Sequence, residues 1–143
     1  MALNRKTKAQ AVNAKQITSF LNSAARKVEA ARKALDIDAE ASYEIAYEGS
    51  IKTSLSLMLS YGERPRSQPG HHVVIIEYCR GKIDKAHGPI FDVLDRMRRK
   101  RNQAFYDVGT ITRKEAEDAV TIAGKYLGVV EADIRRRLSM PKP

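Results

Sequence analysis

The chain predicts an all-α fold, a five-helix antiparallel bundle, and three observations carry that expectation. Apolar residues return every three or four positions through several long stretches, in alanine-rich surroundings that favour helix. Helix punctuation separates the stretches, with Asp38 before one, Gly62 after it, Gly88-Pro89 before another, and Thr112 followed by Glu115 as a capping box. The one run that propensity alone would make a strand, Val73 to Ile76, would have no sheet to join.

In chain order, the first helix is expected from about Ala9 to Leu35, with Val12, Ile17, Phe20, Leu21, Ala24, Val28, Ala31 and Leu35 recurring at helical spacing. Asp36 to Asp38 makes a turn, and Asp38 caps a second helix that runs to about Tyr61 through Tyr43, Tyr47, Ile51, Leu55 and Met58. Gly62 to Gly70, rich in proline, glycine and arginine, is expected to be a loop or hinge. His72 to about Lys82 is then a short buried helix. Proline in a permitted first-turn position opens the fourth helix, which runs to about Phe105. The last helix follows the Thr112 box and packs through Ala116, Ala119, Ile122, Ala123, Tyr126, Val129, Val130 and Ile134.

A chain of 143 residues is one ordinary domain, and residues 1–8 and 139–143 are expected to be flexible ends. A single cysteine, Cys79, leaves no intrachain disulfide, and no apolar run approaches the roughly 20 residues that span a bilayer. The expectation is a cytoplasmic protein with no membrane partner. Its formal charge of +9 favours polyanions, meaning nucleic acid, a nucleotide or an acidic protein. Basic residues cluster at Arg5 to Lys8, Arg96 to Arg101 and Arg135 to Arg137, and the outer two clusters read as solvated ends.

The middle cluster is different. On a helical projection Ile90, Val93, Leu94, Met97, Ala104 and Phe105 make one apolar stripe with Arg101 near its centre. Arg96, Arg99 and Lys100 fall on the opposite side, and Arg98, Asn102 and Tyr106 follow the flank. A guanidinium on a packed face must be answered by a carboxylate, a subunit partner or a phosphate. Glu44 and Glu48 on the second helix are the candidates for a structural ion pair. The functional reading is anion recognition, in which Arg98 and Arg101, one turn apart, surround a phosphate with Asn102 and Tyr106. Such a group can bind RNA and stabilise charge as a 2′-hydroxyl attacks phosphorus.

What it lacks is a base, because a phenol accepts protons poorly at neutral pH. His71 and His72 are candidates for this pocket and its phosphate contacts. Successive helical residues diverge by about 100°, so both aim at one point only if His71 lies in the preceding turn. The plainer reading has His71 capping the third helix and His72 at a surface or interface. His72 and Cys79 are too far apart along the helix to share a metal, and no cysteine pair or His-Glu-x-x-His pattern exists, so neither metal nor cofactor is expected.

At Arg101-Asn102-Gln103-Ala104-Phe105-Tyr106-Asp107 the sequence resembles the HEPN family of small all-helical domains. That family carries an arginine, then usually asparagine, aspartate or histidine, and a histidine four to six positions beyond the first arginine. Arg101-Asn102 matches the first part, and Tyr106 stands at the histidine's place. The resemblance covers nearly the whole chain in helix order, and Arg64-Pro65-Arg66 to Gly70-His71-His72 is similar to a bacterial branch. It implies a homodimer with a shared cleft and a metal-independent endoribonuclease of the toxin or defence type. It also implies a cognate antitoxin or nucleotidyltransferase-like partner, with Arg101 and Asn102 keeping the family's roles and Tyr106 taking the histidine's. Two alternatives stand beside that reading: a noncatalytic RNA- or nucleotide-binding subunit of a toxin–antitoxin pair, and an interaction protein in which Arg101 only pairs with Glu44.

Overall fold

The computed structural model describes residues 6–67, 70–107 and 109–140, which form five α-helices and one short two-stranded ribbon. The helices are α1 (Ala14–Ala34), α2 (Ala39–Ser60), α3 (His71–Arg80), α4 (Gly88–Tyr106) and α5 (Arg113–Leu138). The all-α bundle expected from periodicity is the fold. The helix starts follow side-chain caps, since Asn13 accepts from the Gln16 amide, Asp38 from the Glu40 amide, and Thr112 and Glu115 exchange both bonds of a capping box.

The Asn13 cap corrects the first helix, which starts five residues later than its apolar spacing suggests and leaves Val12 exposed. A strand lies among the described residues before it. β1 (Thr7–Ala9) pairs antiparallel with β2 (Glu63–Pro65), Thr7 lying opposite Pro65, Lys8 opposite Arg64 and Ala9 opposite Glu63. The ribbon takes up Glu63–Pro65 of the loop or hinge expected at Gly62 to Gly70, of which residues 68 and 69 lie outside the described residues, and it pairs Thr7 and Lys8 of the start expected to be flexible, with Thr7 buried. Gly62 makes the ribbon possible: its φ of 75° is left-handed backbone, and its carbonyl accepts from the Gln10 amide. Of the ends expected to be flexible, residues 1–5 and 141–143 lie outside the described residues.

α2 is the axis of the bundle, contacting all four other helices and packing most broadly on α1 and then α5. It is buried on more than one face. Beside Tyr43, Tyr47, Leu57, Met58 and Leu59 it buries Ser42, Ser50, Thr53, Ser54, Ser56 and Ser60. Small hydroxyl residues let neighbouring helices approach, and each hydroxyl is satisfied: Ser50 Oγ donates to the Ala46 carbonyl at 3.0 Å, Thr53 Oγ1 to Gly49 at 3.1 Å, and Ser42 Oγ crosses to Ala31 on α1 at 2.7 Å. At Gly49 α1 comes close, since an added Cβ would lie 3.1 Å from Lys27 Cβ.

The α5 stripe packs as its spacing predicts, with Ala116, Ala119, Ala123, Tyr126, Val130 and Ile134 buried. The cluster Arg135 to Arg137 is not a simple solvated end. The Arg137 guanidinium lies 3.8 Å from the Tyr61 ring centroid and also bonds Asp133 and Ser60, tying α5 to the end of α2.

Candidate functional site

α4 presents Ile90, Phe91, Leu94 and Met97 to the core and then runs out past it. Past Met97 the apolar stripe meets solvent: Phe105 is 82 % exposed, where the sequence places it on the packed face. Tyr106, its edge-to-face neighbour at 5.1 Å, is 84 % exposed. Both rings line a cleft with Glu40 and Tyr43 of α2 instead of packing in the core.

Arg101 sits at the transition. Its side chain keeps about a third of its surface, 34 %, so it is not the buried cation that the stripe implies. Yet its Nε is buried and has no hydrogen-bond partner among the described residues. The guanidinium lies 5.5 Å from the centroid of the Tyr47 ring, and its terminal nitrogen is 3.8 Å from Glu44, a side chain itself half exposed. That is a loose ion pair beside a cation–π contact. Glu48, the other candidate partner, is engaged elsewhere, 3.2 Å from Lys27 of α1.

Two clefts meet at Arg101. One, of about 470 Å³, is lined by Arg101, Asn102, Phe105, Tyr106, Tyr43 and Glu44 among others, and holds the Arg-Asn-Tyr motif. The other, of about 370 Å³, is lined by Arg101 with Tyr47, His72, Lys27, Lys52 and Glu48 among others. The four residues expected to surround one phosphate are therefore divided. Arg101, Asn102 and Tyr106 share a cleft, while Arg98 is held by Asp95, one turn back on its own helix, at 3.1 Å.

Lys100, expected on the solvated side, instead pairs with Glu115 at 3.4 Å and helps dock α4 on α5. Glu115 is kept acidic, its carboxyl held below the usual range first by the Thr112 amide and then by Lys100.

The histidines occupy places that spacing did not disclose. Gly70, at a φ of 77°, is the N-cap of α3, so His71 opens the helix rather than capping it. His72 is half-buried, with Nδ1 2.9 Å from the Tyr47 hydroxyl. The two imidazoles meet edge to face at 4.7 Å. Burial lowers the His72 pKa from the usual 6.5, and the charges of His71, Arg101 and Arg98 lower it further, so the ring is neutral at pH 7. Burial also pushes the Tyr47 phenol up to about 12 against the pull of Arg101 and Arg98. It stays protonated. Among the described residues no group of three or more histidine, cysteine or acidic side chains is placed to hold a metal, and no helix is long and apolar enough to cross a membrane.

Tyr47 lines this site although the sequence offers it only as one member of the packed stripe of α2, and nothing in its spacing marks a hydroxyl that reaches α3 while the ring lies beside Arg101. No family model matches the chain, and no curated protein and no solved structure matches it either.

Proposed function

We propose that this protein is an RNA-targeting component of HEPN-like type, a metal-independent endoribonuclease acting as a homodimer with a shared arginine-lined cleft. The observation that supports it most is the seat of Arg101. A guanidinium that keeps about a third of its surface, with only a loose carboxylate partner and clefts on both sides, is placed to receive an anion. A phosphodiester fits that description. Lys52 and Asn102 extend the polar surface on either side of it.

The homodimer is favoured by the bare end of α4. Phe105 and Tyr106 expose a contiguous aromatic surface next to the motif cleft, and a second copy of the same helix would cover it by two-fold symmetry. A cognate antitoxin or nucleotidyltransferase-like protein is the partner that this reading expects. A noncatalytic RNA-binding subunit is the second reading, favoured by one observation: Tyr106, at the place of the family's histidine, stands almost wholly in solvent.

Fluorescence anisotropy with a short single-stranded RNA tests the receptor. Affinity is expected to fall linearly on a log–log plot against salt, with a slope of about −0.7 for each phosphate neutralised. Arg101→Ala is expected to weaken binding at least tenfold while the helical circular dichroism is kept. RNA binding that is salt-insensitive, or equal in Arg101→Ala, would remove the proposal.

A further inference from the structure

We propose that the proton-transfer residue of this cleft is His72, delivered from α3, and that its Nε2 accepts the proton of a ribose 2′-hydroxyl. The inference rests on the RNA-targeting reading above and assigns the chemical step to a residue outside the Arg-Asn-Tyr motif. His72, Tyr47 and Arg101 come from three different helices and line one cleft. Tyr47 joins the other two, its ring under the guanidinium and its hydroxyl on Nδ1.

That hydroxyl decides which nitrogen can act. The phenol remains protonated, so the pair has two arrangements. Either the phenol donates to Nδ1 and Nε2 carries the ring proton, or Nδ1–H donates to the phenol oxygen and the Nε2 lone pair is free. A 2′-hydroxyl donating to Nε2 selects the second. In it the tyrosine fixes the ring and the tautomer, as an orienting group does for a catalytic histidine. Among the described residues no hydrogen bond engages Nε2.

The electrostatic setting suits a neutral base. Around His72 stand Arg101 and Arg98 from α4, Lys52 and Glu48 from α2, Lys27 from α1, and His71 beside it on α3. Glu48 is taken by Lys27 and Asp95 by Arg98, so the local balance is cationic. Cations oppose protonation of the free ring. When a phosphodiester binds, its negative charge offsets them and makes the imidazolium easier to form as the reaction proceeds.

The step balances without a further reactant. The 2′-oxygen gives its proton to Nε2 and forms a bond to phosphorus, the bond from phosphorus to the 5′-oxygen breaks, and that oxygen takes up a proton from solvent. The products are a 2′,3′-cyclic phosphate and a 5′-hydroxyl. His72 then returns its proton to water, and Arg101 carries the charge on the non-bridging oxygens throughout. Tyr106 lines the opposite cleft, in the company of Tyr43, Glu40 and Ile111, and is not among the residues around His72.

The test uses the full chain, a fluorogenic single-stranded RNA for cleavage, and its 2′-O-methyl counterpart for binding. His72→Gln is expected to lower kcat by 10²- to 10⁴-fold, the usual share of a general base, with binding of the 2′-O-methyl strand within threefold of wild type. The wild-type rate should rise with pH through a value below 6.5 and be level from neutral upward. Tyr47→Phe is expected to shift that acidic limb, which a merely structural tyrosine would not do, and it also serves if His72→Gln fails to fold.

Cleavage that survives His72→Gln and is abolished by Tyr106→Phe, with a rate still climbing toward pH 10, would overturn the inference and leave the nuclease reading standing. A wild-type protein that binds RNA and cuts nothing between pH 6 and 10 would overturn both, keeping only the binding module. Failure to bind RNA at all would remove the reading on which His72 depends.

Discussion

Arg101 lines both clefts, and its geometry fixes what its loss should do. The 3.8 Å pair with Glu44 is loose and partly solvated, a class worth roughly 0–1 kcal/mol. Glu44→Gln is therefore expected to change the midpoint of urea unfolding little, and by lifting a carboxylate from the cleft it should strengthen RNA binding modestly. A large loss of stability in both Glu44→Gln and Arg101→Ala would mark the pair as structural. Cys79 offers a contrasting case, a thiol that is wholly buried and donates to the Ser54 carbonyl at 3.4 Å. Burial pushes its pKa up to about 12, so it is a packing group without nucleophilic character at neutral pH. Iodoacetamide should leave it unmodified in the native protein and label it fully in guanidinium, as read by intact mass.

At the scale of elements, the start of α5 and the length of α2 are held by different chemistry. Thr112 and Glu115 satisfy orphan amides of α5 reciprocally, and Thr112→Ala is expected to cost about 1 kcal/mol in chemical denaturation, in the ordinary range for a lost cap. α2 instead depends on internal hydroxyls. Ser54 Oγ lies 2.7 Å from the Tyr126 hydroxyl of α5, and both are fully buried. Removing the Ser54 hydroxyl leaves the buried Tyr126 phenol with only the Cys79 thiol as a side-chain partner, so Ser54→Ala should destabilise by roughly 1–3 kcal/mol although it deletes a single oxygen. The double change with Tyr126→Phe removes both polar groups and should recover part of that loss.

For the molecule as a whole, pH and assembly are the informative variables. His72 has a folded pKa below its unfolded value, so folding favours the neutral ring. The stability it contributes is fully present above about pH 6.5 and is lost as pH falls through the lowered folded value. Glu115, whose folded pKa is lowered from 4.5, adds stability present above that pH and lost on further acidification. Thermal melts from pH 8 downward should therefore show stability beginning to fall near pH 6.5 and falling again below pH 4.5. In His72→Gln the first fall should disappear. Light scattering at micromolar concentration is expected to give a dimer, and Phe105→Glu, which places charge on the exposed aromatic surface, should shift it to monomer.

The sequence by itself determined the helices, because helical periodicity and caps are local properties written in neighbouring residues. Asp38, the Thr112 box and the α5 stripe all lie where such rules put them. It also marked Arg101 as a cation near the centre of an apolar stripe. It did not disclose the β1–β2 ribbon, whose two strands are three residues each and meet only across more than fifty residues of intervening chain. Nor did it disclose that Phe105 lies in solvent. The pairing of Tyr47 with His72 spans 25 positions, and the approach of both to Arg101 depends on how α2, α3 and α4 pack. Periodicity assigns a residue to a face of its own helix. Which faces meet, and which hydroxyl then reaches which imidazole, is set by long-range packing, and only the tertiary structure decided it.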